Sequence, residues 1–136
     1  MSHPDLHRAS PARLRAEVRD CQLVLQDILG APVISFRAPY GHFRWDLRGS
    51  ARFGLEHLVG WDVAPRWLET RSSAVSDYVQ RYATDGSIVL LHDHLFGVRE
   101  NANEAVRAVA ASLELFIPRL RERNISLKTV SNALKS

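Results

Sequence analysis

Ser87-Ile88-Val89-Leu90-Leu91-His92-Asp93 is the stretch on which the fold turns. Five apolar or small residues run without a break into a histidine and an aspartate. A strand with one wet face alternates apolar and polar residues. A run apolar on both faces belongs to a strand covered on both sides, as in a parallel sheet under helices. Ahead of it, Asp85-Gly86 reads as a turn, and Ser73 to Tyr82 as a helix with Ala74, Val75, Tyr78, Val79 and Tyr82 along one face. Behind it, Asn103 to Arg123 reads as a long helix, with Val106, Val109, Leu113, Phe116, Ile117 and Leu120 inward. Pro118 is expected to kink that helix or split it. Ile125 to Val130 reads as a last strand.

The N-terminal side has the same alternation. Ser10 and Pro11 read as a cap and first helical position, with Leu14, Val18, Cys21, Leu25 and Ile28 at helical spacing and Gly30 as the stop. Val33 to Phe36 reads as a strand that opens into the loop Arg37-Ala38-Pro39-Tyr40-Gly41. An amphipathic stretch over Trp45 to Phe53 precedes a buried strand from His57 to Val63, closed by Pro65. Helix and strand alternate four times, which implies an α/β fold of parallel βαβ units with right-handed crossovers.

Composition narrows the class. The 136 residues are 46% hydrophobic, enough for a core and for one domain over 1–136. No apolar run approaches the roughly 18–20 residues of a membrane span, and no apolar segment of secretory type opens the chain. The net charge of +3 is scattered among 18 basic and 15 acidic residues, which reads as a solvated surface rather than a nucleic-acid stripe. The single cysteine, Cys21, excludes an internal disulfide and falls in an apolar helical register.

In α/β folds, polar residues just past the C-terminal ends of strands are the candidates for chemistry. Arg37, Asp62 and His92 stand at such places. An imidazole at the mouth of a sheet can titrate near neutral pH and pass a proton, though from position alone His92 reads equally as a capping histidine. Arg37 reads as a functional guanidinium or as one arm of a structural salt bridge. Pro39 and Gly41 shape a tight loop whose backbone amides can face a developing oxyanion. Trp61 and Trp67 read as sugar-stacking rings or as buried tryptophans. His3 alone is weak evidence for a metal, because a zinc site takes three protein ligands.

Ser2-His3-Pro4-Asp5-Leu6, Arg37-Ala38-Pro39-Tyr40-Gly41 and Leu90-Leu91-His92-Asp93, in that order and spacing, resemble the polysaccharide deacetylases, the family 4 carbohydrate esterases. The resemblance runs from Ser2 to about Leu134. It implies a partial distorted (β/α) barrel with its first strands missing. It implies a hydrolase of carbon–nitrogen, non-peptide bonds that removes N- or O-acetyl groups from a carbohydrate polymer with a divalent metal, zinc first. By that resemblance His92 is the general acid and Leu90 lines the pocket for the acetyl methyl. Arg37 orients a catalytic aspartate, the Tyr40 N–H belongs to the oxyanion site, and Pro39 lies against substrate. His3 is a metal ligand. Trp61-Asp62 to Trp67 resembles a fourth motif imperfectly, with Ala64 where an Asp is usual, and leaves Asp62 as the supporting carboxylate.

The same resemblance marks what the sequence lacks. No Asp-Asp pair occurs, and the first His of the His-x-x-x-His metal motif would fall two residues ahead of Met1. The expectation is a truncated chain whose start was assigned to an internal methionine. Such a chain is expected to retain no metal and to be a poor enzyme or none, and with sheet edges exposed it is expected to dimerise, to be marginally stable, or to be insoluble. Members of the family are commonly exported. The alternatives are a short gene product that binds carbohydrate without hydrolysing it, and an unrelated α/β domain.

Overall fold

A computed structural model describes residues 3–42, 53–94 and 100–134. They fall into two compact units, Met1–Gly60 and Trp61–Ser136.

In the first unit, α1 spans Pro11–Leu29. The Ser10 hydroxyl accepts from the Arg13 N–H and Pro11 takes the first position, so donors without helical partners are capped or deleted. Gly30, at φ 62°, ends the helix in the left-handed conformation. Leu14 and Val18 pack with Leu6 and Leu55, flanked by Phe36 and Phe53. Each fully buried aliphatic side chain contributes about 1.5–3 kcal/mol. The buried stripe then ends at Gln22, whose amide donates to the Val33 carbonyl at 2.8 Å and so fastens the helix to the segment entering β1. The expected continuation through Leu25 and Ile28 is not buried: Ile28 is 72% exposed. The amphipathic stretch expected over Trp45 to Phe53 lies, except for Phe53, outside the described residues.

β1 (Ser35–Phe36) and β2 (His57–Leu58) pair in parallel, Ser35 opposite His57 and Phe36 opposite Leu58. The strand expected from His57 to Val63 is therefore interrupted. Gly60 weakens a strand interior, and pairing resumes only at Val63, in the second unit.

There Val63 bridges Val89 in parallel, and the Leu90 N–H donates to the Val63 carbonyl at 2.8 Å. Parallel pairing across an intervening helix is the βαβ arrangement the sequence implies. The Ser87 to Leu91 run nevertheless makes one bridge rather than a full strand. Its partner offers Asp62 and Val63, and then Pro65, which has no N–H to give. The turn at Asp85-Gly86 is present, closed by the Ser87 N–H on the Thr84 carbonyl, with Gly86 at φ 82°.

Two helices cover this pairing. α2 (Ser72–Tyr82) packs on α3 (Ala102–Glu122). α2 buries Val75, Ser76 and Val79, whereas the expected inward Tyr78 and Tyr82 are exposed. α3 buries Ala105, Ala108, Ser112, Phe116 and Leu120. Small residues set the close approach, so the face is rotated from the one expected: Leu113 is 37% exposed and Val106 and Val109 are half-buried. Pro118 lies inside one continuous helix and does not split it. Val63, Val79, Ala83, Phe116 and Leu120 form the core, with Val89, Leu91, Ile117 and Ile125 against it. Arg123 ties the ends of the two helices, donating to the carbonyls of Gln80 and Ala83.

The strand expected from Ile125 to Val130 is absent among the described residues. Asn124 turns left-handed at φ 60°, the Ile125 N–H caps the Leu120 carbonyl, and the Ile125 side chain packs on the core. Thr129 caps a short helix, α4 (Val130–Ala133), through its hydroxyl. Among the described residues no helix is long and apolar enough to cross a membrane.

Candidate active site

In the first unit the site residues gather where β1 ends. Arg37 follows Phe36 directly, and its guanidinium donates to the carbonyls of Val59 and Gly60, at 3.4 Å from Nε and 3.1 Å from Nη2. Those carbonyls lie just beyond β2, so one planar cation ties the C-terminal ends of both strands. A fork of donors in fixed geometry is what Arg offers and Lys does not.

The chain then turns tightly. Gly41 donates to the Ala38 carbonyl and His42 to that of Pro39, at 3.0 and 3.1 Å. Both bonds are donated by residues after Tyr40. Tyr40 itself sits at φ 57°, ψ 7°, followed by Gly41 at φ 71°. Glycine adopts this conformation freely, but a residue with a bulky side chain is held in it at a cost of about 1–2 kcal/mol. The Tyr40 side chain is 60% exposed, so no burial of its ring compensates fully. Strain of this kind clusters at functional sites, and the inference runs from the observed outlier to function.

His3 meets this turn. Its ring stands edge-on to Tyr40, centroids 5.0 Å apart at 73°. His42 lies 6.0 Å from the same ring, and its Nδ1 donates to Asp5 Oδ1 at 3.1 Å. Partial burial raises the Asp5 carboxyl, but hydrogen bonds from the His42 ring and the His7 N–H, with the charges of His42 and Arg8, bring it below its ordinary value of 3.8. Beside the turn an open cleft of about 130 Å³ is walled by Pro4, Leu6, Cys21, Phe36, Arg37 and Pro39. Cys21 is half-buried there. Asp5 and His42 are site residues that sequence reading missed. A carboxylate and an imidazole 37 positions apart leave no spacing signal, and the left-handed turn that aims His42 is visible only in the backbone.

In the second unit Asp62 is engaged on both oxygens. Oδ2 accepts from the Ser87 hydroxyl at 2.8 Å, and Oδ1 from the Ile88 N–H at 2.6 Å. These two bonds, Ser87 first, outweigh desolvation and lower its carboxyl from 3.8. Asp62 thus holds the start of the segment that carries Leu90 and His92. It precedes the Val63 pairing, so it is not past the end of a strand, as expected from sequence. Leu90 and His92 are half-buried, Trp61 is half-buried and Trp67 is exposed. The site residues are therefore divided: His3, Arg37, Pro39 and Tyr40 belong to the first unit, and Trp61, Asp62, Trp67, Leu90 and His92 to the second. Among the described residues no three His, Cys, Asp or Glu side chains converge to hold a metal ion. The donors present here do not by themselves fit a zinc site.

Residues 1–56, which include the His3 segment, Arg37 and the Tyr40 turn, match the family model described as "Polysaccharide deacetylase". Related sequences extend the match over almost the whole chain. A chitooligosaccharide deacetylase of Rhizobium leguminosarum bv. phaseoli is 27% identical over 96% of this chain and 59% of its own length. A chitooligosaccharide deacetylase of Bradyrhizobium sp. (strain ANU 289) is 32% identical over 93% of this chain and 60% of its own. By these matches the chain is similar to the polysaccharide deacetylase family. Its fold agrees: the structure of the peptidoglycan deacetylase PdaC from Bacillus subtilis superposes with a TM-score of 0.74 at 27% identity, over 98% of this chain and 60% of that one. The α/β deacetylase-type barrel expected from sequence is thus found, in part. The chain spans about three-fifths of the length of the relatives named here.

Proposed function

We propose that this chain is part of a hydrolase that removes N- or O-acetyl groups from a carbohydrate polymer. The observation that supports it most is Tyr40, a tyrosine held left-handed in the turn after Arg37, at the end of a parallel strand. In this reading the Tyr40 N–H stabilises the oxyanion as the acetyl carbonyl is attacked. A single donor of this kind contributes about 2.7–4 kcal/mol to the transition state. Arg37 acts as a positioning residue, its plane set by the Val59 and Gly60 carbonyls. His92 protonates the departing amine or alkoxide, a role worth roughly 10²–10⁴ in rate. Leu90 takes the acetyl methyl, while Pro39, Trp61 and Trp67 contact sugar. Asp62 keeps the Leu90–His92 segment in register through Ser87 and Ile88.

The reaction class calls for a divalent metal, zinc by donor type, which when bound supplies Lewis-acid activation of water. His3 is one candidate ligand. The described residues do not complete the set, so the chain taken alone is proposed to be impaired. That same observation favours a second reading, a non-catalytic carbohydrate-binding member of the family.

Acetate release from N-acetylglucosamine oligomers and from peptidoglycan fragments, with and without added zinc, tests both. Turnover by the wild-type chain that falls at least 10²-fold in His92→Ala supports the first reading. Oligosaccharide binding by calorimetry without metal and without acetate release supports the second. Neither binding nor release by this chain, or by a form extended to the length of its relatives, would sink both.

A further inference from the structure

We infer that Asp5 and His42 form a latch that positions His3 against the Tyr40 turn. The two segments meet at two points with matching spacing. His3 meets Tyr40 ring to ring, and two residues further along each segment Asp5 meets His42 at 3.1 Å. One contact would leave the His3 segment free to pivot. Two contacts set its translation and its rotation together. This positioning role is an addition to the deacetylase reading and takes its purpose from it, but its geometry and its test are independent of turnover.

The chemistry of Asp5 suits the task. One oxygen, Oδ1, accepts both from the His7 N–H at 3.0 Å and from the His42 ring. The first bond folds the chain immediately after His3 into a turn, closed also by the Arg8 N–H on the Asp5 carbonyl. The second ties that turn to the loop following β1. A carboxylate only accepts, so the partner His42 Nδ1 must carry the proton. On the other side, His42 is aimed by backbone geometry: Tyr40 and Gly41 are both left-handed, and the His42 N–H bonds the Pro39 carbonyl. The strained turn and the latch are therefore one device, in which the conformation of Tyr40 delivers His42 to Asp5.

The test is the ring resonance of His3 in the 136-residue chain labelled at histidine with ¹³C, assigned with His3→Gln. Tyr40 imposes a ring-current shift on His3, and Tyr40→Ala sets the full scale of its loss. His42→Ala and Asp5→Ala are each expected to move the His3 resonance most of the way to its position in Tyr40→Ala. Asp5→Asn keeps an acceptor oxygen and is expected to stay near wild type. If His42→Ala and Asp5→Ala both leave His3 at the wild-type shift, or if Asp5→Asn behaves like Asp5→Ala, the latch is refuted. Should Asp5→Ala disturb folding of the first unit, judged by amide resonances of residues 12–29, the exposed His42→Ala decides alone. Failure of the acetate assay leaves this result standing, and failure of the latch leaves the acetate assay intact.

Discussion

Leu120→Ala and Leu113→Ala test which of two leucines on one side of α3 is enclosed in the core of the second unit. The two leucines are seven positions apart, two turns along one helix, and hydropathy cannot rank them. The structure does: Leu120 is 3% exposed within the cluster of Val63, Val79, Ala83 and Phe116, and Leu113 is 37% exposed. Truncating an enclosed leucine removes about 0.8 kcal/mol of transfer free energy per carbon, roughly 2.4 kcal/mol for three. The cavity left behind brings the cost to about 2–5 kcal/mol. Leu113 leaves no enclosed cavity and is already partly hydrated, so its truncation should cost about 1 kcal/mol or less. Urea unfolding followed by tryptophan emission reads the difference, since Trp61 and Trp67 lie in the same unit. With a slope of about 2 kcal/mol/M, a loss of about 3 kcal/mol lowers the midpoint by about 1.5 M. Leu113→Ala should move it by about 0.5 M or less, with the slope unchanged in both. Equal losses, or a larger one at Leu113, would refute the enclosure of Leu120 over Leu113 and restore Leu113 to the stripe read from hydropathy.

Four further outcomes are expected. Gly30→Ala should lower the unfolding midpoint of the first unit by the equivalent of about 1–2 kcal/mol, from strain alone, because no atom lies within 4 Å of the added methyl. Ser10→Ala should cost about 1 kcal/mol in the same measurement by stripping the cap from the Arg13 N–H. Tyr40→Gly should relieve the left-handed strain and hold or raise stability, and because it keeps the backbone N–H assigned to the oxyanion it should retain any measured acetate release. Asp62 has a folded-state pKa below its unfolded value of 3.8, so its contribution is present above that pH and lost as pH falls through the folded value. Urea midpoints taken from neutral pH to below 3.8 should therefore drop more steeply for wild type than for Asp62→Asn.

Caps and unbroken apolar runs are legible in the sequence because both act locally. Ser10, Pro11 and Gly30 bound α1 where expected, and the Asp85-Gly86 turn closes as expected. The strands were overestimated for a shared reason. Strand length depends on what the partner offers, and Pro65 and Gly60 truncate the partners of otherwise suitable segments. Helix faces were misassigned where small residues pack: Ser76, Ala105, Ala108 and Ser112 are buried because they allow α2 and α3 to approach closely. Hydropathy assigns such positions to the surface and pulls Tyr78, Tyr82 and Leu113 inward in their place.

The candidate site divides along the same line. Arg37, Pro39, Tyr40 and His92 announce themselves by following apolar runs, and a residue at a strand end needs only the strand to be found. Asp5 and His42 have no such anchor. Their meeting depends on two consecutive left-handed residues in the Pro39–Gly41 turn, and a tyrosine in that conformation contradicts local preference. Local rules should fail where the surrounding structure overrides them for a purpose. Tyr40 is such a place: the residue whose backbone is least expected from sequence touches His3 and leads directly into the residue that binds Asp5.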